Sequence, residues 1–224
     1  MKLFTIFRAI IYFVIFIGSF FFADNIIRLI KSSIAIDLIT KSPSGGFILF
    51  MQVATIVTIT LLFPFIIYEI IRYIKPALYK KEKDILSKIL KLGHIISMLF
   101  LLGVAFGVYV IFEIILPFLI EFNSTVGITN IWDANTTIMF VLLSCFYSGI
   151  IFQTPIVIYL LLSWGILDIK NISTIRKVII VVALVLGAFI TPPDIFSQLI
   201  FGFPIWVLFE ISVIVWRVKN ARNN

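Results

Sequence analysis

Eleven acidic residues are scattered through an otherwise apolar chain, and their positions carry most of its chemical signal. Glu82 stands in Ile74-Lys75-Pro76-Ala77-Leu78-Tyr79-Lys80-Lys81-Glu82-Lys83, one carboxylate among lysines. Two readings fit it: the acid relieves lysine repulsion on a solvated helix face, or it awaits a guanidinium, because arginine–carboxylate pairs are bidentate and charge-assisted. Thr191-Pro192-Pro193-Asp194-Ile195-Phe196-Ser197-Gln198 is a second polar break. Thr191 can cap a helix there, the prolines suit a first turn that lacks donors anyway, and Asp194 complements the helix dipole. Asp194 and Gln198 share one face at i,i+4. A cap accounts for most of this run but leaves Gln198, beside apolar neighbours, without a role.

A third signal is Phe152-Gln153-Thr154-Pro155, an amide in the middle of an apolar run. Such an amide suits an interhelical hydrogen bond of about 1 kcal/mol, and Pro155 frees a carbonyl one turn earlier and kinks its helix. Glu69, three residues before Arg72, reads as half of an interfacial i,i+3 ion pair. Glu113, four residues before Pro117, reads as reaching the surface at the end of its run. Glu210 lies deep in the last apolar run, where an ionisable group costs about 2.5–3.5 kcal/mol or more unless it faces a partner or cavity. It is either a satisfied carboxylate between helices or a contact or proton site. His94, beside a lysine-rich stretch, reads as interfacial. Asn123-Ser124-Thr125 and Asn135-Thr136-Thr137 match a glycosylation pattern common enough by chance to carry little weight. The single Cys145 makes no internal disulfide, no Cys/His cluster has metal-ligand spacing, and no nucleophile constellation is present, so neither a catalytic residue nor a cofactor is predicted.

The elements that position these groups follow from composition. Of 224 residues 62% are hydrophobic and 13% charged, with 24 phenylalanines, whereas soluble chains run nearer 45–50% apolar and about 25% charged. That excludes a cytosolic enzyme, a disordered chain and a nucleic-acid binder, the formal charge of +7 notwithstanding. A membrane-spanning helix needs about 20 apolar residues. Runs over about 6–22, 47–71, 95–120, 137–162, 178–190 and 199–215 give six spans, with the last two short. The first has no small-residue cleavage site after it and reads as a retained helix. The short pair must either thin the bilayer or be extended by polar helix ends. Residues 23–46 read as a Ser-, Asp- and Gly-rich cap, 121–136 as a loop, 191–197 as a tight turn, and 80–91 as helical. No repeat or linker divides the chain, so residues 1–224 read as one membrane domain.

Fifteen of the eighteen lysines and arginines fall on the side of the N-terminus, and only Arg28, Lys31 and Lys41 on the other. The positive-inside bias therefore predicts cytoplasmic termini, in agreement with an even number of spans. The fold class is all-α: a polytopic membrane protein of six helices.

These segments resemble the TatC family, the multispanning receptor of the twin-arginine protein translocase, over about residues 8–217. The most specific parts are Pro76 through Glu82, Phe152 through Pro155, Thr191 through Gln198, and Pro204 with Phe209-Glu210-Ile211. Ser42-Pro43 followed by Phe47, and Pro64 with Tyr68, match in order and spacing. The resemblance implies a signal-peptide receptor that exports folded proteins using the proton-motive force, and hydrolyses nothing. It implies Glu82 and Tyr73 at the cytoplasmic signal-peptide site, and Gln153 where partner helices dock. It also implies Pro43, Asp194 and Gln198 in the outer cap and hairpin. The implied partners are TatA- and TatB-like single-span proteins, twin-arginine signal peptides of folded cargo, membrane lipid and further copies of the chain within a complex, with no nucleic acid. The implied location is the plasma membrane of a bacterium or archaeon, or else a mitochondrial inner or plastid thylakoid membrane.

Three departures stand out. The family opens with His-Leu-x-Glu-Leu-Arg, whereas residues 1–8 here contain no acid and only Arg8 matches. Either the true start lies upstream of Met1, or the arginines are read with fewer carboxylates. Position 153 is Gln where the family has Glu; an amide keeps its hydrogen-bonding capacity but does not titrate. Glu69 stands where many relatives carry a neutral amide, and could substitute for a missing charge at the mid-membrane contact. The competing reading is a small proton- or solute-coupled transporter with Glu69, Glu113 and Glu210 as its polar path, although no repeat of the kind such folds carry is visible.

Overall fold

The computed structural model describes residues 2–34, 36–74, 93–190 and 194–221. It is a succession of helices: α1 (Lys2–Ser33), α2 (Gly45–Ile74), α3 (Gly93–Val110) and α4 (Leu116–Thr125), then α5 (Ala134–Ile151), α6 (Thr154–Ser163), α7 (Ile172–Ile190) and α8 (Ile195–Ala221). A π turn (Ile111–Ile115) joins α3 to α4, and a short 3₁₀ turn (Ile169–Asn171) precedes α7. Among the described residues six helical segments are long and apolar enough to cross a membrane: Ile10–Ser33, Gly45–Ile74, His94–Thr125, Ala134–Ser163, Ile169–Ile190 and Ile195–Ala221.

The helices outrun their apolar stretches, because backbone hydrogen bonding rather than hydropathy ends a helix. α1 continues to Ser33 through residues expected to belong to the loop. There Arg28 Nε donates to Asp24 Oδ2 at 2.8 Å one turn away, and Ser32 and Ser33 donate to the Leu29 carbonyl. The cap between the first two spans therefore shrinks to the residues between Ser33 and Gly45. Likewise α7 begins six residues before its apolar run and α8 ends six residues after its own, so polar ends lengthen both, as the second of the two readings had it. The fifth span, at 22 residues, is still the shortest of the six.

The chain forms two compact units. The first comprises Met1–Phe63 and Val108–Phe146. In it Phe20 meets Phe50 edge-on with ring centroids 4.7 Å apart, and Val53, Ala54, Ile111, Ile115 and Ile138 are buried. Two short strands, β1 (Leu38–Ile39) and β2 (Trp132–Asp133), pair in parallel, Leu38 beside Trp132 and Ile39 beside Asp133. They tie the two loops of that unit together across a long sequence separation.

The second unit comprises Pro64–Gly107 and Tyr147–Asn224. Its core gathers Ile158 and Leu162 of α6, Ile172 of α7, and Phe209 and Val213 of α8. At the crossing of α3 with the end of α5 the two backbones nearly touch. A Cβ on Gly103 would lie 2.6 Å from the Ser148 carbonyl oxygen, so only glycine fits there. Lipid-embedded helices associate through such small residues, since hydrocarbon outside is as apolar as leucine inside.

Candidate functional site

The α7–α8 hairpin carries the densest polar construction. Asp194 stands just ahead of α8 and caps it: its Oδ1 accepts from the Ser197 amide at 2.7 Å, satisfying one of the donors that a helix start leaves open. The Gln198 amide bonds the Asp194 carbonyl at 3.2 Å. The Gln198 side chain does something else. Its Nε2 crosses to α7 and donates to the Leu184 carbonyl at 2.8 Å, which is the role the sequence left open. Gly187 makes that crossing possible, since a Cβ on it would sit 2.6 Å from the Gln198 carbonyl oxygen. Asp194 Oδ2 and the Ser197 hydroxyl are buried without a partner among the described residues. Thr191, the expected cap, lies outside the described residues.

Further along the same hairpin, Glu210 meets Arg176. Arg176 Nε donates to Oε1 at 2.6 Å and a terminal guanidinium nitrogen to Oε2 at 2.9 Å, a bidentate fork. Glu210 is 20% exposed and Arg176 42%. The acid deep in the last span is thus the satisfied carboxylate between helices, the first of its two readings.

The fourth span breaks at the Gln-Thr-Pro run. Pro155 has no N–H to give to Ile151, and the Thr154 hydroxyl takes over that carbonyl at 2.6 Å. The chain turns at Phe152 and Gln153 and resumes as α6 with its proline in the first turn, where a missing donor costs nothing. The break turns Gln153 inward: its side chain is buried, and Nε2 donates to the Ile96 carbonyl of α3 at 3.2 Å. The amide therefore links two helices of the second unit.

The remaining candidates are dispersed. Tyr73, in the last turn of α2, is 87% exposed. Glu69, half-buried one turn earlier, is engaged within the protein, as is Arg72. Glu82 lies outside the described residues. Glu113 is exposed on the π turn that absorbs Pro117, and His94 is exposed at the start of α3. Pro43 is exposed in the turn that leads into α2, where the Gly45 amide bonds the Ser42 carbonyl. In the strand pair itself, Asp133 Oδ2 accepts from the Thr136 amide at 3.0 Å and from its hydroxyl at 2.8 Å. These bonds, with a lesser pull from Lys41, hold the Asp133 carboxyl below its ordinary pKa. Among the described residues no group of three His, Cys, Asp or Glu side chains could hold a metal ion. Asp194 and Gln198 come together in one hairpin; Pro43 belongs to the other unit.

Sequence reasoning missed three of these partners. Arg176 was read only as a topology-setting charge, though it and Glu210 lie at nearly equal distances from the Pro-Pro turn, a spacing that a helical hairpin brings together. Thr154 before Pro155 carried the signal of a hydroxyl replacing a lost amide. Gly187 gave no signal until its partner helix was placed.

The family model described as Sec-independent protein translocase protein (TatC) matches residues 2–204. The Sec-independent protein translocase protein TatC of Helicobacter pylori is 31% identical over 207 residues, covering 92% of this chain and 82% of that one. The TatC of Aquifex aeolicus is 33% identical over 210 residues, covering 91% and 86%. For the TatC of Escherichia coli the figures are 32% over 222 residues, 94% and 83%. A crystal structure of the twin-arginine translocase receptor TatC superimposes with a TM-score of 0.72 at 31% identity, covering 93% of this chain and 96% of that one.

Proposed function

The chain belongs to the TatC family, a multi-pass membrane component of the Sec-independent protein translocase and not an enzyme, and from that premise we propose that it is the signal-peptide receptor at the core of a twin-arginine export machine. Both termini face the cytoplasm, with the basic segment between α2 and α3 on that side, as the distribution of lysine and arginine supports. Glu82 in that segment receives the paired arginines of a cargo leader, and Tyr73 flanks them. The observation that carries this reading is the 87% exposure of Tyr73. It is a large aromatic left bare on the final turn of α2, immediately ahead of the lysine-rich segment that holds Glu82. Aromatic faces suit guanidinium groups, which stack on them as well as pairing with carboxylates.

Folded cargo then passes with the help of single-span TatA- and TatB-like helices, driven by the proton-motive force, in a complex holding more than one copy of this chain. Gln153 and Glu69 mark the contact for those helices within the membrane, and Pro43, Asp194 and Gln198 shape the outer side. A glutamine at 153 cannot carry a proton, so the role of that position is hydrogen bonding alone. The membrane is the plasma membrane of a bacterium, a reading supported by the bacterial relatives. The transporter reading is weakened because Glu210, one of its three path residues, is already held by Arg176.

Replacing Glu82 with Ala tests the receptor assignment. Each charge-assisted contact contributes about 1.5–3 kcal/mol, so export of a folded reporter with a twin-arginine leader is expected to fall at least tenfold at limiting leader affinity, by about 1.4 kcal/mol per decade. Unchanged export, with the variant normally inserted, would remove Glu82 from the site.

A further inference from the structure

The second unit contains an open apolar groove of about 260 Å³ that none of the roles above uses. Its walls come from the first turns of α3, from α6 and from the C-terminal half of α8, with Leu99, Ile156, Ile211 and Val215 in the lining. Lys219 ends it, with Tyr159 alongside. Ile211, Val215 and Lys219 recur at i, i+4 and i+8, so the groove follows α8 for about 12 Å at 1.5 Å per residue. The Ser212 hydroxyl in the wall donates to the Leu208 carbonyl of its own helix, which leaves the surface largely carbon. The Lys219 ammonium lies 5.0 Å from the centroid of the Tyr159 ring, a cation–π seat that keeps the charge at the end of the groove.

Three observations specify the occupant. The space is far larger than the roughly 30 Å³ that a water takes in the liquid, and its carbon walls offer water few hydrogen-bond partners. The walls belong to helices long and apolar enough to span a membrane, so hydrocarbon is the medium that reaches the opening. The one charged group among the described lining residues is a cation. A carbon-walled channel ended by a single ammonium complements a molecule with a hydrocarbon tail and an anionic head. We infer that this groove binds an acyl chain of an anionic phospholipid, with the lipid phosphate on Lys219. The site would anchor α8 to α3 and α6 through lipid, and it is independent of how Glu82 and Tyr73 act.

Native mass spectrometry of the full chain, purified in mild detergent and supplied with phosphatidylglycerol or phosphatidylcholine, tests this. One retained lipid is expected, with phosphatidylglycerol favoured about fivefold, the effect of one lysine near a lipid surface. Lys219→Gln should abolish that preference, and Ile211→Trp, which fills the channel from an exposed position, should abolish the retention itself. A photoreactive side chain at Val215 in native membranes should yield an adduct of lipid mass, a readout that needs no variant of Ile211 or Lys219. Equal retention of the two lipids by the unaltered chain would overturn the inference, as would a preference that survives Lys219→Gln. A Val215 adduct to a peptide would also overturn it and assign the groove to a protein helix.

Discussion

The α7–α8 hairpin and α1 have the same mean hydropathy, 2.1 over their most apolar stretches, and differ in almost everything else. The hairpin is stitched across its two helices by the Gln198–Leu184 bond, the Arg176–Glu210 fork and the close approach at Gly187. The polar bonds of α1 that involve Asp24, Arg28, Ser19, Ser32 and Ser33 all close within α1 itself. Phe13, Phe21 and Phe22 stand out from it at 64%, 75% and 63% exposure. Hydropathy measures what can enter a bilayer; what docks in it is decided by small residues that let backbones meet and by polar groups that find partners. The hairpin is therefore tied across its two helices, while α1 leaves much of its apolar surface exposed.

The contrast can be broken by substitution. The largest effect is expected from Gly187→Leu, which drives a side chain into the Gln198 carbonyl and separates the hairpin. A loss of about 1–3 kcal/mol is expected, as for overpacking elsewhere, visible as a lowered melting temperature of the purified protein together with failing export. Next comes Glu210→Ala, which strands the Arg176 guanidinium. Fully buried pairs lose about 3–5 kcal/mol on this treatment, but Arg176 is 42% exposed, so a loss well below that range, and below that of Gly187→Leu, is expected here. Combining Arg176→Ala with Glu210→Ala should cost less than the sum of the two single losses in a double-mutant cycle; simple additivity would mean that the fork does not couple the helices. The smallest effect belongs to α1. Arg28→Ala removes an exposed i,i+4 pair and should cost about 0.2–0.5 kcal/mol. A loss as large as that of Glu210→Ala would erase the distinction between the two regions.

How much of this was legible in the sequence depends on the range of each interaction. The six spans and the kink at Pro155 follow from local composition and spacing, and the structure has both; the expected cap is Thr191, with Asp194 only complementing the dipole, whereas Asp194 itself caps α8. The helix ends were misjudged because Asp24 and Arg28 looked like loop residues, whereas at i,i+4 they support one more turn. The acceptor of Gln198 and the partner of Glu210 were hidden because each depends on the register of two helices, and that register depends on Gly187. The pairing of Leu38 with Trp132 joins loops separated by two spans, beyond the reach of any periodicity. Of the candidate site, Gln153 and the Asp194–Gln198 pair stand out in the sequence, but their partners are backbone groups, a carbonyl for each glutamine and the Ser197 amide for Asp194, which no sequence pattern marks.

The central claim, that a paired-arginine leader docks where α2 runs into the lysine-rich segment, is tested most directly by a photoreactive side chain at Tyr73. In membranes carrying this chain, a twin-arginine leader peptide should form an adduct there, and a twin-lysine version or a Glu82→Gln chain should lose most of it. Equal adducts from both peptides, or none at Tyr73 while the leader crosslinks elsewhere, would contradict the account.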